Sequence, residues 1–297
     1  MTGKVERIGI IGAGPAGMAA AIQLSRQGFQ PLLLEKKRPG GLLHNAHEVE
    51  NYPGFPEGIS GPRLVEKMIK QLRRVGGKVT FARVDKLAYQ DNCFQLITAE
   101  GSYSVERVVV ASGTKPRRYR DVPGSEQAAD RIYYEVVDLK EAVDKTILIL
   151  GGGDAAFDYA LNLADQNRVI ILNRGEDIKA LKLLQERVKD HPRVVYFDRH
   201  RVAAVETEPT GGINLIVHQG GQSKIISGDY LLAAIGRQPD LDFLSFEGET
   251  LKMRLEQEGK LFFIGDVKNK RFRQTAIAVG DGLRAAMEIE SRLGGGN

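Results

Sequence analysis

Arg7-Ile8-Gly9-Ile10-Ile11-Gly12-Ala13-Gly14-Pro15-Ala16-Gly17 is the stretch that decides the fold. A short apolar strand, Arg7 to Ile11, runs straight into a glycine turn, and the turn opens an alanine-rich helical stretch from Met18 to Arg26. Each glycine of a Gly-x-Gly-x-x-Gly turn has its own duty. Gly12 permits the tight bend, Gly14, with Pro15 and Ala16 beside it, lets backbone approach a pyrophosphate, and Gly17 allows close helix packing. The helix N-terminus adds unpaired N–H groups and a dipole that favours phosphate. A second strand, Pro31 to Leu34, closes on Glu35, with Lys36 next to it. A carboxylate there can accept hydrogen bonds from an adenosine ribose, so the pattern predicts a dinucleotide-binding unit.

The arrangement recurs further along. Thr146 to Leu150 reads as a strand, Gly151-Gly152-Gly153-Asp154-Ala155-Ala156 as the turn, Phe157 to Asp165 as a helix and Arg168 to Leu172 as the next strand. Gly151, Gly153 and Ala156 satisfy Gly-x-Gly-x-x-Ala, because the third position demands only close packing. Asp154 is expected to cap the helix. Asn173-Arg174 stands where a NAD-selective site would place a carboxylate against the 2′-hydroxyl; Arg174, with Lys179, suits a 2′-phosphate. The expected second ligand is therefore NADPH, held by Gly151 to Ala155, Asn173, Arg174, Lys179 and the Ile235-Gly236 turn. An ADP-cradling turn does not by itself separate NADPH from a second FAD, and that alternative stays open.

Two strand-turn-helix-strand copies predict an α/β chain with two nested Rossmann-like dinucleotide-binding domains. A helix-like stretch, Arg63 to Val75, and strands near Lys78 to Phe81, Phe94 to Ala99 and Val105 to Ala111 read as an inserted sheet within the first domain. Lys115-Pro116-Arg117-Arg118 reads as an exposed crossover and Gly236-Arg237-Gln238-Pro239 as the return. The expected domains are 1–114 with 240–297, and an inserted domain at 115–239. Gly294-Gly295-Gly296-Asn297 is expected to fray.

At 297 residues there is room for two cores, and 42% hydrophobic with 27% charged residues is ordinary globular composition. No apolar run is long enough to cross a bilayer. The segment from Met1 through Lys4, Glu6 and Arg7 lacks a signal pattern, which gives a cytoplasmic expectation. A formal charge of +4 falls short of a nucleic-acid footprint. The single cysteine, Cys93, excludes an intrachain disulfide and any Cys-x-x-Cys motif, and is expected to be a small buried hydrophobe. His44, His47, His191, His200 and His218 lack metal-ligand spacing, so no metal site is expected. No serine or cysteine nucleophile sits in a recognisable elbow.

Further segments carry a resemblance. Gly40-Gly41-Leu42-Leu43, Glu48-Val49-Glu50-Asn51-Tyr52-Pro53-Gly54-Phe55-Pro56, Ala111-Ser112-Gly113, the Gly236 to Pro239 turn, Gly265-Asp266 and Arg273-Gln274-Thr275-Ala276 resemble the FAD-domain signature of bacterial thioredoxin reductases. The match spans almost the whole chain. It implies that Asn51 and the Gly41-Leu42 backbone contact the flavin nucleotide, that Val84 meets the adenine, and that Asp266 hydrogen-bonds the ribityl chain. Gly113, Gly265 and Arg273 fall in the same signature, and Gln274, Thr275 and Ala276 would aim a helix N-terminus at the flavin. Such a terminus stabilises the negative charge of reduced flavin near N1 and C2=O.

Thioredoxin reductases carry a Cys-x-x-Cys in the inserted domain just before its glycine turn. Here the segment reads Ile132-Tyr133-Tyr134-Glu135-Val136-Val137-Asp138-Leu139, and without two thiols no internal dithiol relay can operate. This segment is similar to that of the thioredoxin-reductase-type ferredoxin-NADP reductases, which also lack the pair and oxidise NADPH with one-electron carriers. Leu42, Asn173 and Gly175 depart from the glutamine, histidine and arginine that such relatives often carry.

The resemblance implies an FAD-dependent homodimer in which hydride passes from NADPH to FAD and electrons then leave to an external acceptor, ferredoxin or flavodoxin first. No acid-base side chain is required, because the cofactors carry the chemistry. The basic stretches Lys36-Lys37-Arg38, Lys115 to Arg120 and Lys268 to Arg273 could steer an acidic carrier. A non-catalytic flavin-binding sensor is the remaining alternative. Nucleic acid and membrane partners are not expected.

Overall fold

The structure, a computed structural model, describes residues 6–120, 122–209, 211–246 and 248–294. Met1, Lys4 and the expected fraying of Gly295-Gly296-Asn297 lie outside the described residues; Gly294 is the last residue of a helix that begins at Thr275. The chain divides into two compact units. One comprises Met1–His44, Val49–Lys115 and Gln238–Asn297, and the other Asn45–Glu48 and Pro116–Arg237.

In the first unit, strands Val79–Phe81, Leu32–Glu35, Glu6–Ile11, Gly101–Val110 and Leu261–Phe263 lie side by side and parallel. Ile8, Ile10, Leu33, Leu34, Val108, Val109 and Val110 are fully buried, as a parallel sheet covered on both faces requires. Helix Pro15–Arg26 connects the first two strands in the right order for a dinucleotide fold. The strands expected to form an inserted sheet within the first domain are instead members of its one main sheet. Val79–Phe81 belongs to the parallel sheet, and the hairpin Lys86–Gln90 with Cys93–Thr98 continues that sheet through Gly101–Val110. The reason is the ten-residue length of that strand: one edge pairs Gly101 to Val105 with the hairpin and Val108 to Val110 with Leu261–Phe263.

Cys93 also departs from expectation, being half-buried beside the hairpin turn Asp91-Asn92, whose two residues take left-handed φ values of 50° and 62°. Strand alternation sends Phe94 and Leu96 into the core and leaves Cys93, Gln95 and Ile97 on the other face.

The second unit holds a five-stranded parallel sheet in the order Val194–Phe197, Arg168–Leu172, Thr146–Leu150, Tyr230–Ala233, Ile132–Tyr133. Helix Asp154–Ala164 packs on it through Ala156, Phe157, Ala160 and Ala164, all buried. A three-stranded antiparallel sheet, Arg201–Thr207, Ile213–Gln219 and Gln222–Gly228, encloses a second core with Leu148, Leu150 and Leu231. Asn45–Glu48 joins this unit through specific bonds. Asn45 donates to the Glu135 carboxylate and accepts from the Val137 N–H (3.3 Å), His47 N–H donates to Asp158 (3.2 Å), and Glu48 pairs with Arg187 (3.6 Å). Among the described residues no helix is long and apolar enough to cross a membrane, and no group of side chains is arranged to hold a metal ion.

Candidate functional site

The first glycine turn is built by steric exclusion. Gly12 sits at φ +101°, and a Cβ there would lie 2.4 Å from the Ala111 carbonyl oxygen; at Gly17 it would lie 1.9 Å from the Gly12 carbonyl oxygen. Gly14 differs: a Cβ would meet nothing within 4 Å, so the open face of the turn lies there. Gly14 is also the N-cap of helix Pro15–Arg26 and no side chain caps it, which leaves the helix end clear for an anion. Buried Glu35 holds the turn, its carboxylate accepting the Ala13 N–H (2.9 Å) and the Lys37 N–H (3.0 Å). Gly40 N–H donates to the Ala13 carbonyl (2.8 Å), and a Cβ on Gly41 would come within 3.4 Å of Gly14 Cα, so the Gly40-Gly41 segment lies against the turn. Leu42 follows, half-buried.

Of the other expected flavin residues, Gly265 lies against this turn. Gly265, at φ +70°, would place a Cβ 2.8 Å from Ala16 Cβ, and Gly282 of the last helix would place one 2.3 Å from the Ala16 carbonyl oxygen. These absent side chains let the last helix lie directly on the first. Asn51 donates to the Gln274 side-chain carbonyl (2.9 Å), joining two segments far apart in sequence. Ala82 N–H donates to the Glu35 carbonyl (3.0 Å), which holds the segment leading to buried Val84 beside Glu35. Gly113, at φ +68°, has open space where a side chain would stand, and its carbonyl accepts the Asp240 N–H (3.1 Å). Asp266 and Thr275 are half-buried, Ala276 is exposed, and Lys36 pairs with Asp240 (2.7 Å). Arg273 carries a buried Nε–H with no partner, an unmet donor beside Gln274. An open turn, an uncapped helix end and an unmet guanidinium donor fit an anionic dinucleotide such as FAD.

The second turn repeats the construction. Gly151 sits at φ +147° with its Cβ position 2.6 Å from the Ala234 carbonyl oxygen, while Gly153 again faces open space and caps its helix without a side chain. Asp154 is not the cap: it lies one residue inside the helix, where its carboxylate accepts the Leu181 N–H (2.8 Å). Ala155 beside it is exposed. Asn173 is buried and bears on the turn as Glu35 does on the first; a Cβ on Gly152 would lie 2.6 Å from its Nδ2. Its amide donates to the Asp177 carbonyl (3.1 Å) and the Tyr196 hydroxyl (3.0 Å), and its Oδ1 accepts the Gly175 N–H (3.3 Å). Lys179 N–H donates to the Gly152 carbonyl (2.7 Å), the counterpart of Gly40 on Ala13. The side chains of Arg174 and Lys179 are exposed. Ile235 is exposed, and the carbonyl of Gly236, at φ +110°, accepts the Arg117 N–H (3.0 Å).

Arg199 is a neighbour that sequence reading missed. Its N–H donates to the Gly175 carbonyl (3.0 Å) and its guanidinium pairs with Glu176 (3.1 Å). The available signal was strand adjacency: Phe197 pairs with Leu172, so the residues after both strands share the carboxyl edge of the sheet.

Where the resemblance would place a dithiol stands an ion pair. Glu135 accepts from Arg237 (2.7 Å) and from Asn45, and Tyr134 accepts the Tyr119 N–H (3.0 Å) while Arg118 lies over its ring. Burial pushes the Asp158 carboxyl up to about 6, the Tyr119 hydroxyl up to about 12, and the Tyr159 hydroxyl upward as well. None of these groups can take the place of a thiol pair in disulfide exchange.

Two glycine turns, each completed by a second strand and nested in one chain, define a protein of two dinucleotide-binding units. A sequence profile of the pyridine nucleotide-disulphide oxidoreductase family matches residues 6–282, and the chain belongs to that family, with a thioredoxin reductase-like fold. It is similar to the thioredoxin reductase of Bacillus subtilis, 30% identical over 301 residues that cover 97% of this chain and 94% of that protein. It is 32% identical to the NADPH-dependent thioredoxin reductase 3 of Arabidopsis thaliana over 99% of this chain and 59% of the plant protein. The crystal structure of Lactococcus lactis thioredoxin reductase in its FR conformation superposes with a TM-score of 0.85 at 27% identity, covering 98% of this chain and 99% of that one. The family binds FAD and NAD(P)H. This chain is thus an oxidoreductase of the thioredoxin reductase family that lacks the redox disulfide, since it has one cysteine.

Proposed function

We propose that this protein oxidises NADPH and passes the electrons, by way of FAD at the Gly12–Gly17 turn, to an external one-electron carrier of the ferredoxin or flavodoxin kind. The observation that carries the proposal is the pairing of two clear dinucleotide turns with a lone, hairpin-tip Cys93. Electrons entering such a chain have no internal disulfide to reach. When bound, FAD supplies the conversion of one hydride donation into two single-electron deliveries.

The protein's part is binding and orientation. Glu35 is the acceptor for ribose hydroxyls, the Gly14 face and the helix end behind it take the pyrophosphate, and Arg273 with the Gln274–Ala276 helix start meets negative charge on the flavin. In the second unit Gly153 faces the pyrophosphate, while Arg174 and Lys179 are the cations for the 2′-phosphate. No side chain needs to move a proton. Likeness to the thioredoxin reductases extends the proposal to a homodimer, for which exposed Leu283 and Met287 on the last helix offer an apolar face.

Anaerobic mixing of the flavin-loaded protein with NADPH, and separately NADH, tests the reading when flavin absorbance and flavin per chain are both recorded. Rapid bleaching by NADPH at one FAD per chain is expected. Two flavins per chain, or no bleaching by either nucleotide, would overturn the pyridine-nucleotide assignment.

A further inference from the structure

We infer that the Lys268–Arg273 loop is the docking surface for a small acidic redox protein, with Phe272 as its apolar anchor; this rests on the function proposed above. Three basic stretches compete for that role, and their places relative to the residues read as flavin contacts distinguish them. Lys36 pairs with Asp240 and Lys115 with Asp242. Lys37, Arg38, Arg117, Arg118 and Arg120 of those two stretches are exposed and make no ion pair among the described residues. What sets the third stretch apart is therefore that Gly265-Asp266 and Gln274 flank it. In Lys268-Asn269-Lys270-Arg271-Phe272-Arg273 there is no carboxylate, and Lys268, Lys270 and Arg271 are exposed with no ion pair among the described residues. At the centre, Phe272 is 60% exposed, with the Arg271 guanidinium 4.9 Å from its ring centroid. An exposed aromatic ring flanked by arginine is the composition of an interface anchor, and surrounding cations select an acidic partner.

The loop is held in place. Lys268 and Asn269 N–H groups donate to the Gly265 carbonyl (3.0 and 3.1 Å), Asn269 donates to Asp281 (2.6 Å), and Phe272 N–H returns to the Asn269 carbonyl (2.7 Å). Phe272 is therefore presented on a folded turn, which lowers the ordering cost of binding. Through the Asn51–Gln274 hydrogen bond the loop also adjoins a second aromatic-cation element, in which Tyr52 and Phe55 pack at 6.1 Å and Lys67 lies 5.9 Å from the Phe55 ring. Gly265-Asp266 and Gln274, the residues read as flavin contacts, bracket the loop. A carrier seated on Phe272 would lie beside the electron source. The net charge of the whole chain is only +4, so the attraction is local to this face.

The test uses the full flavin-loaded chain, an acidic [2Fe–2S] ferredoxin as probe, and a small neutral quinone as control acceptor. Lys270→Glu and Phe272→Ser are measured for binding of oxidised ferredoxin and for NADPH-driven reduction at low and high salt. Each is expected to lower kcat/KM for ferredoxin about tenfold at low salt, with the Lys270→Glu deficit shrinking at high salt, while quinone turnover is unchanged. Both variants staying within twofold of the parent with ferredoxin would overturn the docking assignment and leave the proposed function standing. So would parallel loss of quinone turnover, which would place the effect on the flavin site. A parent protein that bleaches with NADPH yet neither binds nor reduces ferredoxin would overturn both the docking surface and the carrier reading.

Discussion

Replacing Asp158 by asparagine is expected to stabilise the second unit at neutral pH and above, and to change nothing below about pH 4. Asp158 lies on helix Asp154–Ala164, and burial lifts its carboxyl from 3.8 to about 6, against the opposing effect of the His47 and Glu48 N–H groups. A lift of about two units corresponds to roughly 3 kcal/mol between the charged and neutral forms, at about 1.4 kcal/mol per unit. Because the folded value lies above the unfolded one, the native state binds more protons between about pH 4 and pH 6. This carboxyl therefore costs least in acid, and stability falls as the pH rises through that window before levelling off. Asparagine keeps an oxygen for the His47 N–H, which is 3.2 Å from the carboxylate, and never ionises. At pH 8 the variant should gain on the order of 1–3 kcal/mol, the lower part of that range allowing for imperfect accommodation of the amide. Urea unfolding between pH 4 and 8 at fixed, saturating FAD reads the difference, since ligand concentration itself shifts apparent stability. Parallel stability curves for the two proteins across the whole range would refute the reasoning, because a buried ionising carboxyl must leave a pH-dependent gap.

Gly17→Ala should purify without flavin, because its Cβ would stand 1.9 Å from a Gly12 carbonyl whose residue is tied to Leu34; flavin absorbance per chain measures this, and a yellow stoichiometric protein would contradict it. Gly152→Ala should keep FAD yet bind NADPH more weakly, at an overpacking cost of about 1–3 kcal/mol. Its Cβ would meet the Asn173 amide at 2.6 Å, and that amide is pinned by Tyr196, Asp177 and Gly175, so titration with NADPH in the flavin-loaded variant is the check. Arg174→Ala should weaken NADP⁺ about tenfold to a hundredfold and leave NAD⁺ unchanged, as expected for a lost charge-assisted bond to phosphate; equal losses by calorimetry would remove the 2′-phosphate role.

Both glycine turns and their flanking strands were legible because local sequence determines them. Thr146–Leu150 and Arg168–Leu172 are observed where the apolar runs ended, bounded by residues that cannot continue a buried strand. The helix after the second turn begins at Asp154 and not Phe157, since backbone hydrogen bonding takes the turn's last residues into its first turn. What the sequence concealed is non-local. Nothing in Gly101–Val110 announces that one strand edge serves two partners, so these strands read as an inserted sheet and the strand Lys86–Gln90 goes unread. Nothing in Asn45–Glu48 announces bonds to Glu135, Val137, Asp158 and Arg187, which lie far along the chain. Arg199 reaches the second turn only because its strand pairs with the one ending at Leu172.

The repeat extends further than its glycines, and the point where the copies diverge bears on ligand choice. In both units the residue closing the second strand bears on the middle of the turn, Glu35 on Ala13 and Asn173 on Gly152, and a later N–H, from Gly40 or Lys179, fixes the same carbonyl. The scaffold is thus equivalent while the charge is not. A buried carboxylate at Glu35 can accept from ribose hydroxyls and would oppose any added phosphate, which fits the FAD proposed there, a dinucleotide with an unphosphorylated ribose. Asn173 brings no charge, and both its polar atoms are already engaged by Asp177, Tyr196 and Gly175. On the function proposed above, discrimination at the second turn would fall to the exposed cations Arg174 and Lys179, with Arg199 paired to Glu176 and bonded to the Gly175 carbonyl. On this reasoning the first turn should reject a 2′-phosphate by repulsion, whereas the second should accept one by attraction and lose that preference as salt screens its exposed charges.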